Sequence, residues 1–566
     1  MFAIVIPPIV RESVDGVIGL LKNNQLPKYS KYLPSYFDSS AKLAVLSGVL
    51  ILVAALLKGW CMYYMRMTLI IMSRKIEYEQ KNDIFKHYQQ MGQRFFSKNY
   101  TGDLMNRISD DVSKVRMFTG PAIMYALNLT FMILMVVGLM FSVNATITLW
   151  VLIPLPILVI TIYLVSDSMN KKSDIIQKKL SVITSYTQET FAGIAVVKSY
   201  GRENDFARDF DTLNDSYKED NMALVRINGV FMPAVVGLVG LSVLITIYAG
   251  GNAVVDGQFS LGNIVEYILY VNMLTWPVAS LGYVTSLVQQ GSASQARIEE
   301  FLTIPAEEDL GTKTISKLEK EIVFDNVSFR YSDAEEWVLR QVSFTIEANT
   351  KFGIIGTTGS GKSTIAKLLM GVYEPTEGEI RIDGIVLKEY SRKSLKTMFA
   401  YVAQDIFLFS DSLKANILFG ITSDEQASNL EQAVATASLT EEIKGFPNGL
   451  ETILGERGIT LSGGQKQRTA IARALVKNPT VLLIDDGLSA VDTKTEVRIK
   501  NSLKKWGKEQ TFINISHRIS SIQDCSEIIF LDQGKVIEQG NHEFLLGKNG
   551  VYAALFEKQI VNSIEG

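Results

Sequence analysis

LSGGQKQRTAIARALVKNPTVLLIDDGLSAVD, Leu461 to Asp492, is the stretch whose reading decides the fold. It holds three pieces at fixed spacing. Leu461 to Gln465 offers a hydroxyl (Ser462), two glycines (Gly463, Gly464) and an amide (Gln465) at the mouth of a helix. Backbone N–H groups at a helix N-terminus suit a phosphate. A helical run with Arg468, Arg473 and Lys477 follows, and Pro479 ends it. Val481-Leu482-Leu483-Ile484 then reads as a fully buried strand. It delivers Asp485 and Asp486 at its C-terminal edge, where open α/β sheets bind ligands. Ser489-Ala490-Val491-Asp492 comes next.

The matching phosphate loop lies upstream. Gly356-Thr357-Thr358-Gly359-Ser360-Gly361-Lys362-Ser363-Thr364 fits Gly-x-x-x-x-Gly-Lys-Ser/Thr. It follows an apolar strand, Phe352 to Ile355, and precedes a helix, Ile365 to Met370. In that context the glycines allow close backbone approach, Lys362 reaches the β/γ-phosphates and Ser363 faces Mg²⁺. A core strand that merely ends in acidic turn residues would not explain both motifs.

Together these motifs resemble the nucleotide-binding domain of an ATP-binding cassette (ABC) transporter. The resemblance implies further roles. Tyr331, in Phe329-Arg330-Tyr331, matches the family's adenine-stacking aromatic. Gln404, closing Tyr401-Val402-Ala403, corresponds to a glutamine that reaches the metal and senses the membrane domain. Phe407 to Phe409 and Asn416-Ile417 match the stretch that meets the coupling helices. Gly455-Glu456-Arg457-Gly458 is similar to a segment that marks exporters. His517, after the apolar strand Thr511 to Ser516, matches the switch histidine that contacts the γ-phosphate. The implied cofactors are ATP and Mg²⁺, with Ser363, Gln404 and Asp485 around the metal and the residue after Asp485 handling the attacking water.

At 566 residues the chain exceeds one domain. A formal charge of −3 argues against a nucleic-acid partner. Two cysteines in different regions, Cys61 and Cys525, suggest no disulfide framework. The positive mean hydropathy, +0.16, conceals a split: long uncharged runs fill the first 300 or so residues, and the remainder reads as a soluble α/β domain.

In the first half, Leu43 to Met65 reads as a membrane span. No charge appears between Arg116 and Asp167, room for spans at Pro121–Val143 and Ile147–Val165 around a tight turn near Asn144. Pro154 and Pro156 predict a kink. Val230–Gly250 and Ile264–Leu287 are the last two spans, joined outside at Asp256-Gly257. Lys and Arg crowd the segment from Thr68 to Phe118, which places it in the cytoplasm. Its helix is expected to run from Arg66 to Phe95 and to break at Thr101-Gly102. It resembles the first intracellular loop of ABC exporters, and Ser166 to Arg226, with Glu189 to Ile194, resembles the second. Met1 to Val10 is apolar but too short to span, and Glu12 to Ser40, with Pro27 and Pro34, reads as an outer loop with short helical pieces. The resemblance implies that a full first helix would begin upstream of Met1. Lys58 and Arg66 are candidates for lining a substrate path, with snorkelling to an interface the alternative. Glu266 reads as interfacial rather than substrate-binding.

The expected architecture is therefore an α-helical polytopic membrane domain of the six-helix exporter type over residues 1–304, a linker over 305–320 and an α/β P-loop ATPase domain over 321–566. The implied function is ATP-driven export of a hydrophobic or amphipathic substrate, such as a drug or lipid, across the cell's inner (plasma) membrane, with the ATPase domain cytoplasmic. Two such half-transporters close head to tail, each P-loop facing the other's LSGGQ. An importer built on this fold, or an ATP-gated membrane regulator that does not transport, are the alternatives. One residue departs from the family pattern: Asp486 stands where a glutamate is usual. Asp is a methylene shorter, and a misplacement near 1 Å can cost roughly a hundredfold in rate. Either Asp486 is a slow base in a homodimer, or the chain pairs with a partner whose strong site its intact LSGGQ completes. The heterodimer is preferred.

Overall fold

A computed structural model describes residues 2–23, 40–307, 309, 311–331, 336–421, 428–488, 490–506 and 509–565. Pro27, Pro34 and Ser489, all used in the sequence reading, lie outside the described residues. The chain divides into two compact units: residues 1–90 with 99–305, and residues 91–98 with 306–566.

The first unit is helical. Among the described residues, five helices are long and apolar enough to cross a membrane. They are α2 (Ser40–Gln90), α4 (Thr101–Val143), α5 (Ala145–Ala192), α7 (Glu203–Val255) and α8 (Leu261–Leu302), and all five predicted spans fall on them. The tight turn is at Asn144, whose side chain accepts from the Ile147 N–H at 3.0 Å. A turn at Ile153, just before Pro154, interrupts α5 as expected of the two prolines. Ser260 and Asn263 form a reciprocal capping box that starts α8. Apolar positions of α4, α5, α7 and α8 interdigitate around Val136, Met140, Val151, Leu158, Val235 and Val271. The fully buried Tyr267 hydroxyl is satisfied there by Thr148 Oγ1 at 2.9 Å and the Met140 carbonyl at 2.7 Å. Unpaired polar groups inside a membrane are costly, so this pairing is a condition of burial.

Two expectations need correction. Glu12 does not open a loop: α1 (Ile6–Asn23) continues through it. Arg11 and Asp15 of α1 have partners at the start of α8. Asp15 accepts from Ser260 Oγ at 2.6 Å and from the Gly262 N–H at 2.8 Å, and Arg11 Nη1 pairs with Glu266 Oε2 at 3.1 Å. Glu266 is 1% exposed, held by Arg11 and by the Tyr270 hydroxyl at 3.0 Å. The cytoplasmic break also falls elsewhere. The long helix ends at Gln90, a short helix α3 (Gln93–Lys98) follows, and Thr101 opens the next helix after an extended Tyr100. The second excursion contains a short helix, α6 (Ile194–Ser199), between Gly193 and Gly201, the latter at φ +62°.

The second unit carries two sheets. β1 (Glu321–Phe329), β2 (Leu339–Glu347), β4 (Glu377–Ile382) and β5 (Ile385–Val386) form an antiparallel sheet in the order β2-β1-β4-β5. The other sheet runs β10-β9-β3-β8-β7-β6. Its members are β3 (Lys351–Gly356), β6 (Phe399–Val402), β7 (Val481–Asp485), β8 (Thr511–Ile515), β9 (Glu527–Asp532) and β10 (Lys535–Gly540). All its pairs are parallel except β10 with β9. β7 is buried at every residue, as a central parallel strand must be. Register then fixes the site. Ile354 pairs with Ile515, Asp485 with Ile515 and Val402 with Ile484, so β3, β8, β7 and β6 end side by side.

Candidate nucleotide site

Each of those four strand ends delivers a predicted residue. β3 leads into the phosphate loop, and Lys362 begins helix α9 (Lys362–Leu369). Gly359 and Gly361 take φ of +80° and +101°, conformations that favour glycine. A Cβ on Gly356 would sit 2.0 Å from the Leu531 carbonyl, so that position also excludes a side chain. β8 leads to His517, β7 ends in Asp485 with Asp486 behind it, and Gln404 stands two residues past β6.

Lys362 Nζ folds back onto its own loop, donating to the Gly356 carbonyl at 2.9 Å and the Thr357 carbonyl at 2.7 Å. Burial pushes its ammonium below the usual lysine range, and Asp486 and Asp485 oppose that shift. The Ser360 hydroxyl, on a residue 2% exposed, is buried without a hydrogen-bond partner. A cationic side chain satisfied only by loop carbonyls and an orphaned hydroxyl are what a phosphate-binding loop leaves ready for a ligand.

Asp485 is 1% exposed. Desolvation raises its pKa, the charge of Asp486 adds to that, and hydrogen bonds from Ser363 and Tyr401 with the charge of Lys362 oppose it. The Tyr401 hydroxyl donates to Asp485 Oδ2 at 3.2 Å. A buried carboxylate beside a serine hydroxyl is a hard oxygen pair, and Mg²⁺ prefers such ligands. The residues present therefore fit a Mg²⁺–nucleotide complex. Gln404 has an exposed side chain and stands at the adjacent strand end.

Asp486 sits at φ +48°, its N–H held by the Ile515 carbonyl at 2.9 Å. Its Oδ1 faces His517, 3.0 Å from Nδ1, and accepts the His517 backbone N–H at 3.2 Å. Tyr331 is half-buried, 3.2 Å from Thr364 Oγ1 through its hydroxyl and edge-on to Phe329 and Tyr373. Thr358 is exposed in the loop.

The signature residues are organised differently. Ser462 is the N-cap of helix α10 (Gly463–Leu475). Its hydroxyl accepts from the Gln465 N–H at 3.3 Å, while Gln465 Oε1 accepts the Ser462 N–H at 2.9 Å. The serine and glutamine thus serve a capping box, leaving the glycine N–H groups at the helix mouth. This helix packs in a different hydrophobic cluster from α9. Ala470, Ile471 and Leu475 belong to one, Ile365, Leu368 and Leu369 to the other. The structure brings Lys362, Ser363, Asp485, Asp486 and His517 to one sheet edge, whereas Ser462 to Gln465 head α10, a helix packed in the other cluster.

Sequence reasoning passed over several contributors. Tyr401 lies three residues before Gln404, on the strand beside β7, and that adjacency was its one available signal. Thr357 Oγ1 donates to Asp532 Oδ1 at 2.9 Å, and Gln467 Nε2 to the Asp486 carbonyl at 3.4 Å. Gln559 contacts the His517 loop from 42 residues away, with nothing local to mark it.

Residues 8–278 match the family described as the ABC transporter transmembrane region, and residues 339–489 the family described as ABC transporter. The probable multidrug resistance ABC transporter ATP-binding/permease protein YheI of Bacillus subtilis is 35% identical over 481 residues, 85% of this chain and 82% of the relative. The ATP-dependent lipid A-core flippase of Haemophilus ducreyi is 32% identical over 513 residues, 90% and 88% of the two chains. A solved structure of a bacterial Atm1-family ABC exporter with ATP bound matches with a TM-score of 0.79 at 24% identity, over 99% of this chain and 96% of that one, a likeness of fold. With its membrane helices fused to a P-loop ATPase unit, the chain belongs to the ABC transporter family, as an ATP-hydrolysing membrane transporter of the exporter type.

Proposed function

We propose that the chain is one half of an exporter that moves a hydrophobic or amphipathic compound, a drug or a lipid, out through the inner (plasma) membrane. The curated relatives act on such compounds by name, being a multidrug resistance transporter and a lipid A-core flippase. The membrane domain spans residues 1–304, the linker 305–320 and the ATPase domain 321–566, which faces the cytoplasm. Lys58 and Arg66, both exposed along α2, are proposed to line the substrate path.

The separation of the two phosphate-binding helices carries the dimer. One unit holds a P-loop at one sheet edge and an LSGGQ on a helix in another cluster, so a second half-transporter is needed to lay its LSGGQ over this P-loop. Within that closed site Lys362 leaves its loop carbonyls for the β/γ-phosphates, and the N–H groups of the loop and of α9 hold the phosphate oxygens. Tyr331 packs on the adenine. Ser363, Asp485 and Gln404 would hold Mg²⁺, which supplies neutralisation of phosphate charge. Asp486 orients the attacking water and His517 turns toward the γ-phosphate. Closure is favoured only while nucleotide is bound, and that differential affinity tips the membrane helices from inward- to outward-facing.

The asymmetry at Asp486 favours a heterodimer. Its carboxylate is spent on His517 and its backbone, and it is one methylene short. The test of the export reading is uptake of a fluorescent amphipathic dye and of a short-chain fluorescent lipid into proteoliposomes. ATP should drive uptake of at least one probe in the wild type, and Lys362→Ala should abolish it. Equal uptake by Lys362→Ala would overturn the reading.

A further inference from the structure

The loop that carries His517 is gripped from the far end of the chain. Helices α11 (Thr493–Trp506), α12 (His542–Gly547) and α13 (Val551–Glu565) lie in the C-terminal part of the second unit. Gln559, on α13, donates through Nε2 to the His517 carbonyl at 2.7 Å. Its Oε1 accepts the Ile519 N–H at 2.9 Å. One side-chain amide thus pairs with the backbone on both sides of Arg518, as a neighbouring strand would. The segment between β8 and the turn at Ile519–Ser521 has no regular structure of its own, so this grip replaces a ladder.

The helix that presents Gln559 is itself firmly held. Glu538, 7% exposed on β10, accepts the Val551 N–H at 2.8 Å and the Tyr552 N–H at 3.0 Å, placing a carboxylate on the positive end of α13. Tyr552, Leu555 and Phe556 pack with Ile519, Ile522, Phe530 and Ile355. Residues 552, 555, 556 and 559 fall on one helical face, so the packing that seats α13 also aims Gln559. Ile355 belongs to the strand feeding the phosphate loop, so α13, that strand and the turn after His517 share one apolar cluster.

We infer that Gln559 is a positioning residue for His517, setting where the histidine ring is offered to the γ-phosphate. Asp486 fixes the His517 N–H and ring from one side, and Gln559 fixes its carbonyl from the other. Gln559 itself touches neither nucleotide nor water. The inference rests on the proposed role of His517. Because the amide is half-buried and works through backbone, its removal should act on placement rather than on stability.

The test uses the assembled full-length transporter, phosphate-release kinetics, a fluorescent ATP analogue and thermal unfolding. Gln559→Leu should lower kcat about tenfold, short of the roughly hundredfold that a 1 Å misplacement can cost. KM for ATP should stay within about twofold, the pattern of an interaction that matters only in the transition state. Analogue affinity and thermal midpoint should be those of the wild type. Gln559→Glu keeps the acceptor for Ile519 and loses the donor for His517, and its kcat should fall between the two. It carries the same test should Gln559→Leu fail to assemble. Leu545→Ala weakens the same apolar cluster from α12, off the helix that carries the amide, and should lower the thermal midpoint while keeping kcat. An unchanged kcat in Gln559→Leu, or an equal loss in Leu545→Ala, would overturn the inference. His517→Ala separates the two claims. If it turns over normally, the role of His517 fails. If it is inactive while Gln559→Leu is normal, only the positioning role fails.

Discussion

Asp486 Oδ1 lies 3.0 Å from His517 Nδ1 and also takes the His517 backbone N–H at 3.2 Å. The residue proposed to handle the attacking water is therefore folded onto the loop that follows the neighbouring strand, with its backbone at φ +48°. A longer side chain on the same backbone would carry its carboxylate past these anchors. Asp486→Glu is thus expected to raise single-turnover phosphate release at this chain's own P-loop, by up to about a hundredfold if the shortfall is near 1 Å. A rate at or below that of the wild type would show that reach is not what limits this site.

Asp485 gives a stability prediction of definite sign. Burial raises its pKa, so the nucleotide-free fold binds the proton more tightly than the unfolded chain does. The ionised carboxylate then weakens the fold at pH above its raised pKa, and the penalty disappears as pH falls below the unfolded value of 3.8. Asp485→Asn removes the charge. Without nucleotide, its thermal midpoint at neutral pH should rise above that of the wild type. The difference should shrink toward pH 4, and Mg²⁺-dependent ATPase should be lost. A lower midpoint at neutral pH would contradict the desolvation reading.

The pair Arg11–Glu266 makes a second stability prediction, in the membrane unit. Glu266 is 1% exposed and Arg11 is its cationic partner, at 3.1 Å. Removing one member of a buried pair strands the other, at a cost of about 3–5 kcal/mol. Arg11→Met should lower the thermal midpoint in detergent clearly, and adding Glu266→Gln should recover most of the loss. No change in the single variant would show that the pair does not fasten α1 to α8.

What could be read from sequence divides along a physical line. Phosphate binding imposes a contiguous pattern, because the glycines, lysine and serine must follow one another from strand to helix. Gly356 to Thr364 therefore declared itself, as did the apolar strand ending at Asp485. Spans were legible because a bilayer demands long uncharged runs. Pairings across hundreds of residues were not. Glu12 and Asp15 looked like the start of a loop because the partners of Asp15, Ser260 and Gly262, lie at the start of a helix that composition cannot place beside it. Gln559 is one polar residue on an amphipathic helix, and its meaning comes from the fold alone. The break assigned to Thr101-Gly102 failed for a local reason: a glycine in the first turn of a helix costs little, whereas the extended Tyr100 ends the preceding segment.

The pairing of unequal sites is tested most directly by one phosphate-release measurement on the purified complex, with its second half identified by mass. Asp486→Asn damages only the site built on this chain's P-loop, and Ser462→Ala only the site this chain's signature completes. With a glutamate-bearing partner, Asp486→Asn should reduce ATPase by less than about threefold, whereas Ser462→Ala should approach the loss of 10²-fold or more that removing a catalytic contribution typically brings. Equal and severe losses from the two variants, or a large loss from Asp486→Asn in a confirmed heterodimer, would contradict the weak-site assignment and make Asp486 a working base.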